Sequence, residues 1–184
     1  MEEKQKKSLE EIALKAGARS VRYISSADIP LAQWPRMKCQ YGCPNYGQTL
    51  CCPPYTPGLE DMQRFVREYQ TAMLVEYRAA LPDGKTGWEA FDAKINTSLL
   101  TILLEIERAA FFQNCYKAFA LKAGKCRLCD TCNLQRCLHP DKARPSAEAC
   151  GIDVFALAER AGYTMKVMDR PEKEFSIYGL VLLD

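Results

Sequence analysis

Histidine is almost missing from this sequence: His139 is the only one among 184 residues. Imidazole-based acid–base chemistry therefore has little to draw on, and no Ser/His/Asp set can be recognised. Long apolar runs are missing too. The longest oily stretch, Leu99 to Ile106, contains Thr101 and Glu105 and is far shorter than the roughly 20 apolar residues of a bilayer span, so no membrane is expected as a partner. Met1 to Lys7 is almost wholly charged and offers no apolar h-region, which argues against a secretory signal. Neither a G-x-G-x-x-G turn nor a G-x-x-x-x-G-K-[ST] loop occurs, so a nucleotide domain has no support. An excess of one charge is also absent. With 25 Lys plus Arg against 23 Asp plus Glu, the chain lacks the basic surplus that binding to a phosphate backbone needs, and nucleic acid is not expected as a partner.

What the sequence has in abundance is cysteine. There are ten, and 48% of the residues are apolar, enough for one domain to build a core without cross-links. Four cysteines lie between Cys39 and Cys52 and four between Cys126 and Cys137, while Cys115 and Cys150 stand apart. Disulfides suit exported domains too small to hold a core, so reduced thiols in a cytoplasmic protein are the favoured reading. Reduced thiols gathered at short spacing hold metals. Cys115 and Cys150 fit better as small buried hydrophobes.

The periodicity predicts an α+β protein, a single domain over 1–184 with a mixed β-sheet packed against helices and two cysteine-rich metal-binding loops, 39–54 and 126–140. Ser8-x-x-Glu11 reads as a capping box, Leu9, Ile12, Ala13 and Ala16 share a face, and Gly17 suits a left-handed stop, which gives a helix over 8–16. A strand is expected at 20–24, then an irregular stretch over 25–57. Thr56-Pro57 reads as a cap and first turn ahead of Leu59, Met62, Phe65, Val66 and Tyr69, followed by a strand at 72–77. A second capping box, Thr86-x-x-Glu89, opens a long helix whose stripe of Trp88, Phe91, Ile95, Leu99, Ile102, Leu103, Ile106 and Ala110 reads as core. The segment 115–121 completes a strand–helix–strand unit. Asp153 caps a helix through Ala161 with Gly162 as its stop, and strands at 163–168 and 176–183 close the chain.

The second loop reads Cys126-Arg-Leu-Cys129-Asp-Thr-Cys132-Asn-Leu-Gln-Arg-Cys137-Leu-His-Pro140, or C-x2-C-x2-C-x4-C. Three thiolates at successive intervals of three wrap a compact cluster whose irons each need a terminal sulfur, and the run resembles the bacterial ferredoxin pattern C-x2-C-x2-C-x3-C-P. Tetrahedral zinc more often uses two separated C-x2-C knuckles. A [4Fe–4S] cluster is therefore favoured, with zinc as the alternative. The last interval is one residue longer than in ferredoxins, so Cys137 is assigned locally while a crossover to the first loop stays open. His139 is read as a surface imidazole.

The first loop, Cys39 to Tyr55, has the spacing C-x3-C-x7-C-C. Adjacent side chains in extended backbone diverge, so Cys51 and Cys52 are not expected to reach one cluster together; Cys52, ahead of Pro53-Pro54, is the favoured ligand. With Cys39, Cys43 and Cys52 alone, one iron would stay open to a small molecule, a carboxylate or water. The alternative is a complete cluster that recruits Cys51 or Cys137. The C-x3-C-x2-C spacing of radical S-adenosylmethionine chemistry is absent. Pro145 starts a turn whose free amides can face a cluster or an anion beside Arg144, or can simply begin a helix. Lys122, Lys125, Arg127 and Arg136 read as a basic rim that offsets cluster charge or guides an acidic partner.

The Cys39-to-Pro54 segment, Cys126-Arg-Leu-Cys129, Lys142-Ala-Arg-Pro-Ser146, Gly151-Ile-Asp153 and Tyr178-Gly-Leu-Val-Leu182, taken in order, resemble a cysteine-rich family described as predicted metal-binding proteins of anaerobic bacteria and archaea. The resemblance spans roughly 20–184. It implies a cytoplasmic location and a cysteine-bound metal, favours Cys52 as ligand and leaves Cys51 as a peculiarity of this chain. Together these readings give the expectation of an iron–sulfur protein with one or two [4Fe–4S] clusters, ligated from Cys39, Cys43, Cys51, Cys52, Cys126, Cys129, Cys132 and Cys137, that exchanges electrons with a partner enzyme. The alternatives are an enzyme using an open iron at the first loop, with Tyr41, Tyr46 or Arg144 assisting, and a zinc-stapled interaction module.

Overall fold

The structure, a computed structural model, describes residues 1–80, 93–165, 167 and 174–184. The Thr86-x-x-Glu89 box, Trp88, Phe91 and part of the strand expected at 163–168 lie outside the described residues. The chain forms α1 (Glu3–Ala16), β1 (Ser20–Ser25), α2 (Trp34–Gly42), α3 (Leu59–Val66), β2 (Thr71–Ala80), α4 (Ala93–Phe112), β3 (Phe119–Leu121), α5 (Val154–Arg160) and β4 (Glu174–Leu182), with short 3-10 turns at Ser26–Asp28 and Glu148–Cys150.

The fold is α+β, and its four-stranded sheet runs in the order β1-β2-β4-β3. Every ladder in it is antiparallel, and among the described residues the one parallel pairing is the isolated bridge Lys122–Ser146. The mixed sheet expected from a strand–helix–strand unit is corrected accordingly. β2 and β3 do run in the same direction across α4, but β4 slots between them, so each pairs with an antiparallel neighbour.

Both faces of the sheet are covered, which is why β2 is buried almost continuously instead of alternating. Met73, Val75, Ala120 and Val181 face α1 and α4, where the stripe Ile95, Leu99, Ile102, Leu103, Ile106 and Ala110 is core. Ala72, Leu74, Leu121, Leu180 and Leu182 face the other way, against Met62 and Val66 of α3 and Leu157 and Ala158 of α5. Cys115 is buried in the first cluster and Cys150 in the second, the packing role expected of them.

Five local expectations change. α1 begins at Glu3, with Gln5 Oε1 accepting from the Glu2 amide at 2.9 Å, so Ser8 and Glu11 are mid-helix. Gly58, not Thr56, caps α3. Thr56 Oγ1 instead donates to Ala149 O (2.8 Å) and accepts from Arg36 (2.9 Å). Only Phe119–Leu121 of the 115–121 segment is strand, because Asn114, at φ 71°, and the bond from Cys115 N to Ala110 O close α4 with a turn. The stretch over 25–57 contains α2, and 163–165 is not strand.

Segment 30–32 pairs with 151–153 through Ala32 N to Gly151 O (2.8 Å) and Asp153 N to Pro30 O (2.9 Å). Gly151 sits at φ 83°, and a Cβ there would meet Leu59 Cδ1 at 3.1 Å and Ala32 O at 3.2 Å, so both backbone angle and space call for glycine. Asp153 then caps α5 through Oδ1 and holds the Trp34 indole through Oδ2. These contacts set α2 against the 3-10 turn Glu148–Cys150.

Candidate metal centre

Cys39 is on α2 and Cys43 at its C-cap. Arg36, one turn before Cys39, sends Nη1 to Thr56 Oγ1 (2.9 Å), Pro57 O (2.7 Å) and Ala149 O (2.6 Å). One guanidinium thus ties α2 to the exit of the first loop and to the 3-10 turn. The loop folds back on itself through Gly47 N to Pro53 O at 2.9 Å, with Gly47 at φ 71°.

Cys39, Cys43 and Cys52 share one electrostatic neighbourhood. Burial pushes the Cys39 thiol up to about 11, reinforced by Cys43, Glu148 and Cys52 and opposed by Arg36. Cys52 is raised by burial and by Cys43. Thr49 Oγ1 and Glu148 Oε2 are the two described side-chain atoms that are sealed from solvent without a hydrogen-bond partner.

Cys51 turns the other way. Its thiol donates to Cys126, which raises Cys51 well above the ordinary range, with burial adding to the effect. The same bond pulls Cys126 below the usual thiol value against the opposing effect of burial. A cavity of about 580 Å³ is walled by Cys51, Cys126, Cys129, Cys132, Cys137 and His139. Cys129 is raised by burial and then by Cys126, Cys132 and Cys137. Cys137 lines this cavity with the other cysteines of its own loop, and Cys51 reaches it from the first loop, on the side away from Cys52.

The second loop leaves β3 through Lys122, whose side chain has no solvent exposure. Its Nζ donates to Asn96 Oδ1 (3.0 Å), Ala123 O (3.1 Å), Gly124 O (2.9 Å) and Lys125 O (2.6 Å). Burial pushes its pKa down to about 8, while Cys126 and Cys51 oppose the fall. Lys125 Nζ reaches Asn45 Oδ1 at 2.8 Å and joins the two loops. The rim expectation is thus corrected for Lys122, which is a buried strut. Arg144 is also occupied: it makes a two-pronged pair with Glu107 and lies 5.4 Å from the Phe119 ring. In the turn after Pro145, the Ala147 amide donates to Lys122 O and the Ala149 amide to Ser146 Oγ.

The sequence reading did not single out Arg36, Asn96, Thr49 or Glu148, and nothing in their spacing marks them: Arg36 and Asn96 matter through partners far along the chain, and Thr49 and Glu148 through the burial of one side-chain oxygen each. All ten cysteines are free. Among the described residues, no three His, Cys, Asp or Glu side chains converge closely enough to hold one metal ion. Tetrahedral zinc would need sulfurs about 3.8 Å apart, from a Zn–S bond of about 2.3 Å. The thiols of the second loop, with Cys51, line a cavity of about 580 Å³. No helix among the described residues is long and apolar enough to cross a membrane.

The class the structure defines is an α+β protein that carries two adjoining cysteine-rich loops outside its two packed clusters. The chain belongs to the family described as predicted metal-binding protein (DUF2284), which matches residues 22–183. No curated protein and no solved structure matches it.

Proposed function

We propose that this is an iron–sulfur protein of the reducing cytoplasm that carries a [4Fe–4S] cluster in the five-cysteine cavity and exchanges electrons with a partner enzyme. The observation that carries the reading is the wall of Cys51, Cys126, Cys129, Cys132 and Cys137 around about 580 Å³. That is more sulfur, spread over more space, than one tetrahedral ion uses. Cys126, Cys129 and Cys132 supply three thiolates, and Cys137 or Cys51 the fourth. A cluster held there supplies one-electron redox chemistry. The chain's own part is to fix the thiols, to shield one side of them with Cys51 and Lys122, and to leave Leu134 and Leu138 exposed beside the cavity where a partner can dock.

The three-thiol group Cys39, Cys43 and Cys52 favours a second reading, an enzyme that binds a small molecule at an incompletely ligated iron. Arg144 no longer supports it, being paired with Glu107. A zinc-stapled interaction module is the third reading. Analysis of anaerobically purified protein for iron and acid-labile sulfide separates them. A brown protein absorbing broadly near ~400 nm and bleached by dithionite is expected for iron–sulfur. A colourless protein with stoichiometric zinc would sink the first two readings. A reduced-state EPR signal that shifts on adding small ligands would move the balance to the enzyme.

A further inference from the structure

With Cys51 turned to the second loop, the group at the first loop is Cys39, Cys43 and Cys52, one donor short of a closed cubane site. The structure brings a carboxylate to the same place. Glu148 opens the 3-10 turn whose next residue, Ala149, accepts through its carbonyl from both Arg36 and Thr56. Arg36 precedes Cys39 by one helical turn and Thr56 follows Cys52 by four residues, so one carbonyl joins Glu148's turn to the carriers of two of the three thiols. Glu148 Oε2 is shut off from solvent and has no hydrogen-bond partner. A carboxylate oxygen in that state is costly unless a cation or donor meets it. Ser146 and the residue's own amide interact with the carboxylate, and Lys122 acts on it only through its charge. Glu148 is also among the groups that raise Cys39, after burial and Cys43, so its charge is felt at that thiol.

We infer that Glu148 Oε2 is the fourth ligand of a second [4Fe–4S] site whose other ligands are Cys39, Cys43 and Cys52, separate from the centre of the second loop. This rests on the iron–sulfur reading of the protein. An oxygen-ligated iron is held less firmly than a thiolate-ligated one, so this corner is the one lost first on oxidation, and the adjacent pair Cys51 and Cys52 places the two sites one peptide apart.

The test uses the full chain prepared without oxygen. The wild type is expected to hold about eight irons, four from each cubane, and the Cys129→Ser variant about half as many. Mild ferricyanide oxidation should convert the first site to [3Fe–4S], read by its EPR signal. Glu148→Cys should suppress that signal about tenfold at unchanged iron content, and Glu148→Asp should retain it. Equal signals in wild type and Glu148→Cys would overturn the assignment, as would a wild type with about four irons that Cys129→Ser abolishes. Should Glu148→Cys not fold, the wild-type Mössbauer spectrum decides. One iron of distinct isomer shift at the first site is expected; irons that are all alike overturn the proposal. Broadening of the reduced-state EPR signal in oxygen-17-labelled water would identify a solvent-held iron instead and also overturn it. Absence of both iron and sulfide from every preparation would refute the iron–sulfur reading itself and this inference with it.

Discussion

A lysine ammonium without solvent contact must find an oxygen for each of its protons, and Lys122 has four within reach, three of them carbonyls of the chain that leads into Cys126. Lys122→Met would strand those carbonyls and Asn96, and should cost about 3–5 kcal/mol, the range for breaking a buried charged network by removing one member; urea unfolding of the metal-free protein measures it. The paired thiols make a second residue-scale prediction. Because Cys51 donates to Cys126, the Cys126 thiol is held below its usual value and should ionise more readily than an ordinary thiol, which is only a few per cent anionic at neutral pH. Lowered nucleophilicity cancels part of that gain, so Cys126 should be alkylated about threefold faster than Cys132 at pH 7. Its lead should widen as pH falls from 8 to 7, where ordinary thiols reprotonate first, and vanish in Cys51→Ala. Mass mapping of iodoacetamide adducts reads both. The thiol spacing was legible in the sequence down to the divergence of Cys51 and Cys52. The destination of Cys51 was not, because it depends on a loop 75 residues further on. Lys122 looked like one more rim cation because nothing local distinguishes a buried lysine.

At the scale of elements, the site depends on how α2 and α4 are seated. α2 escaped the sequence reading for a physical reason: Pro35 is its only buried residue, so it has no apolar stripe to reveal it. Pro35 in the first turn and the tether at Arg36 hold it instead. Arg36→Met should therefore destabilise the fold by about 2–3 kcal/mol, the scale of losing hydrogen bonds to a charged group, and should loosen Cys39 while sparing the second loop. Iron and sulfide counts on that variant, set beside Cys129→Ser, check it. α4, by contrast, announced itself through its stripe. It crosses β4 so closely at Gly179 that an added Cβ would lie 2.6 Å from Leu103 Cδ1 and 3.1 Å from its Cγ. Leu103 is fully buried. Gly179→Ala should cost about 1–3 kcal/mol by overpacking, visible as a lower urea midpoint with unchanged slope.

For the whole molecule, the decisive relation is between the core and the loops. The class α+β followed from period and composition, but strand order did not, since β4 inserts between β2 and β3 from the far end of the chain and no local pattern encodes that pairing. The resulting sheet is packed on both faces by clusters that contain Cys115 and Cys150 but none of the eight loop cysteines. A protein arranged in this way does not need its metal to fold, unlike a zinc finger, whose ligands are also its core. Removing metal anaerobically with a chelator should leave the far-UV circular dichroism nearly unchanged. Hydrogen exchange should then accelerate in 43–56 and 124–143, where the backbone is mostly turn and bend, while amides of β2 and β4 keep their protection. Lys122 gives the boundary between the two behaviours, because its amide bonds Pro145 O and its carbonyl accepts from Ala147, so protection should persist up to residue 122 and fail just beyond it. Exchange rising equally in the sheet would mean that the metal is part of the folding unit, and that the loops and the core cannot be treated as separate.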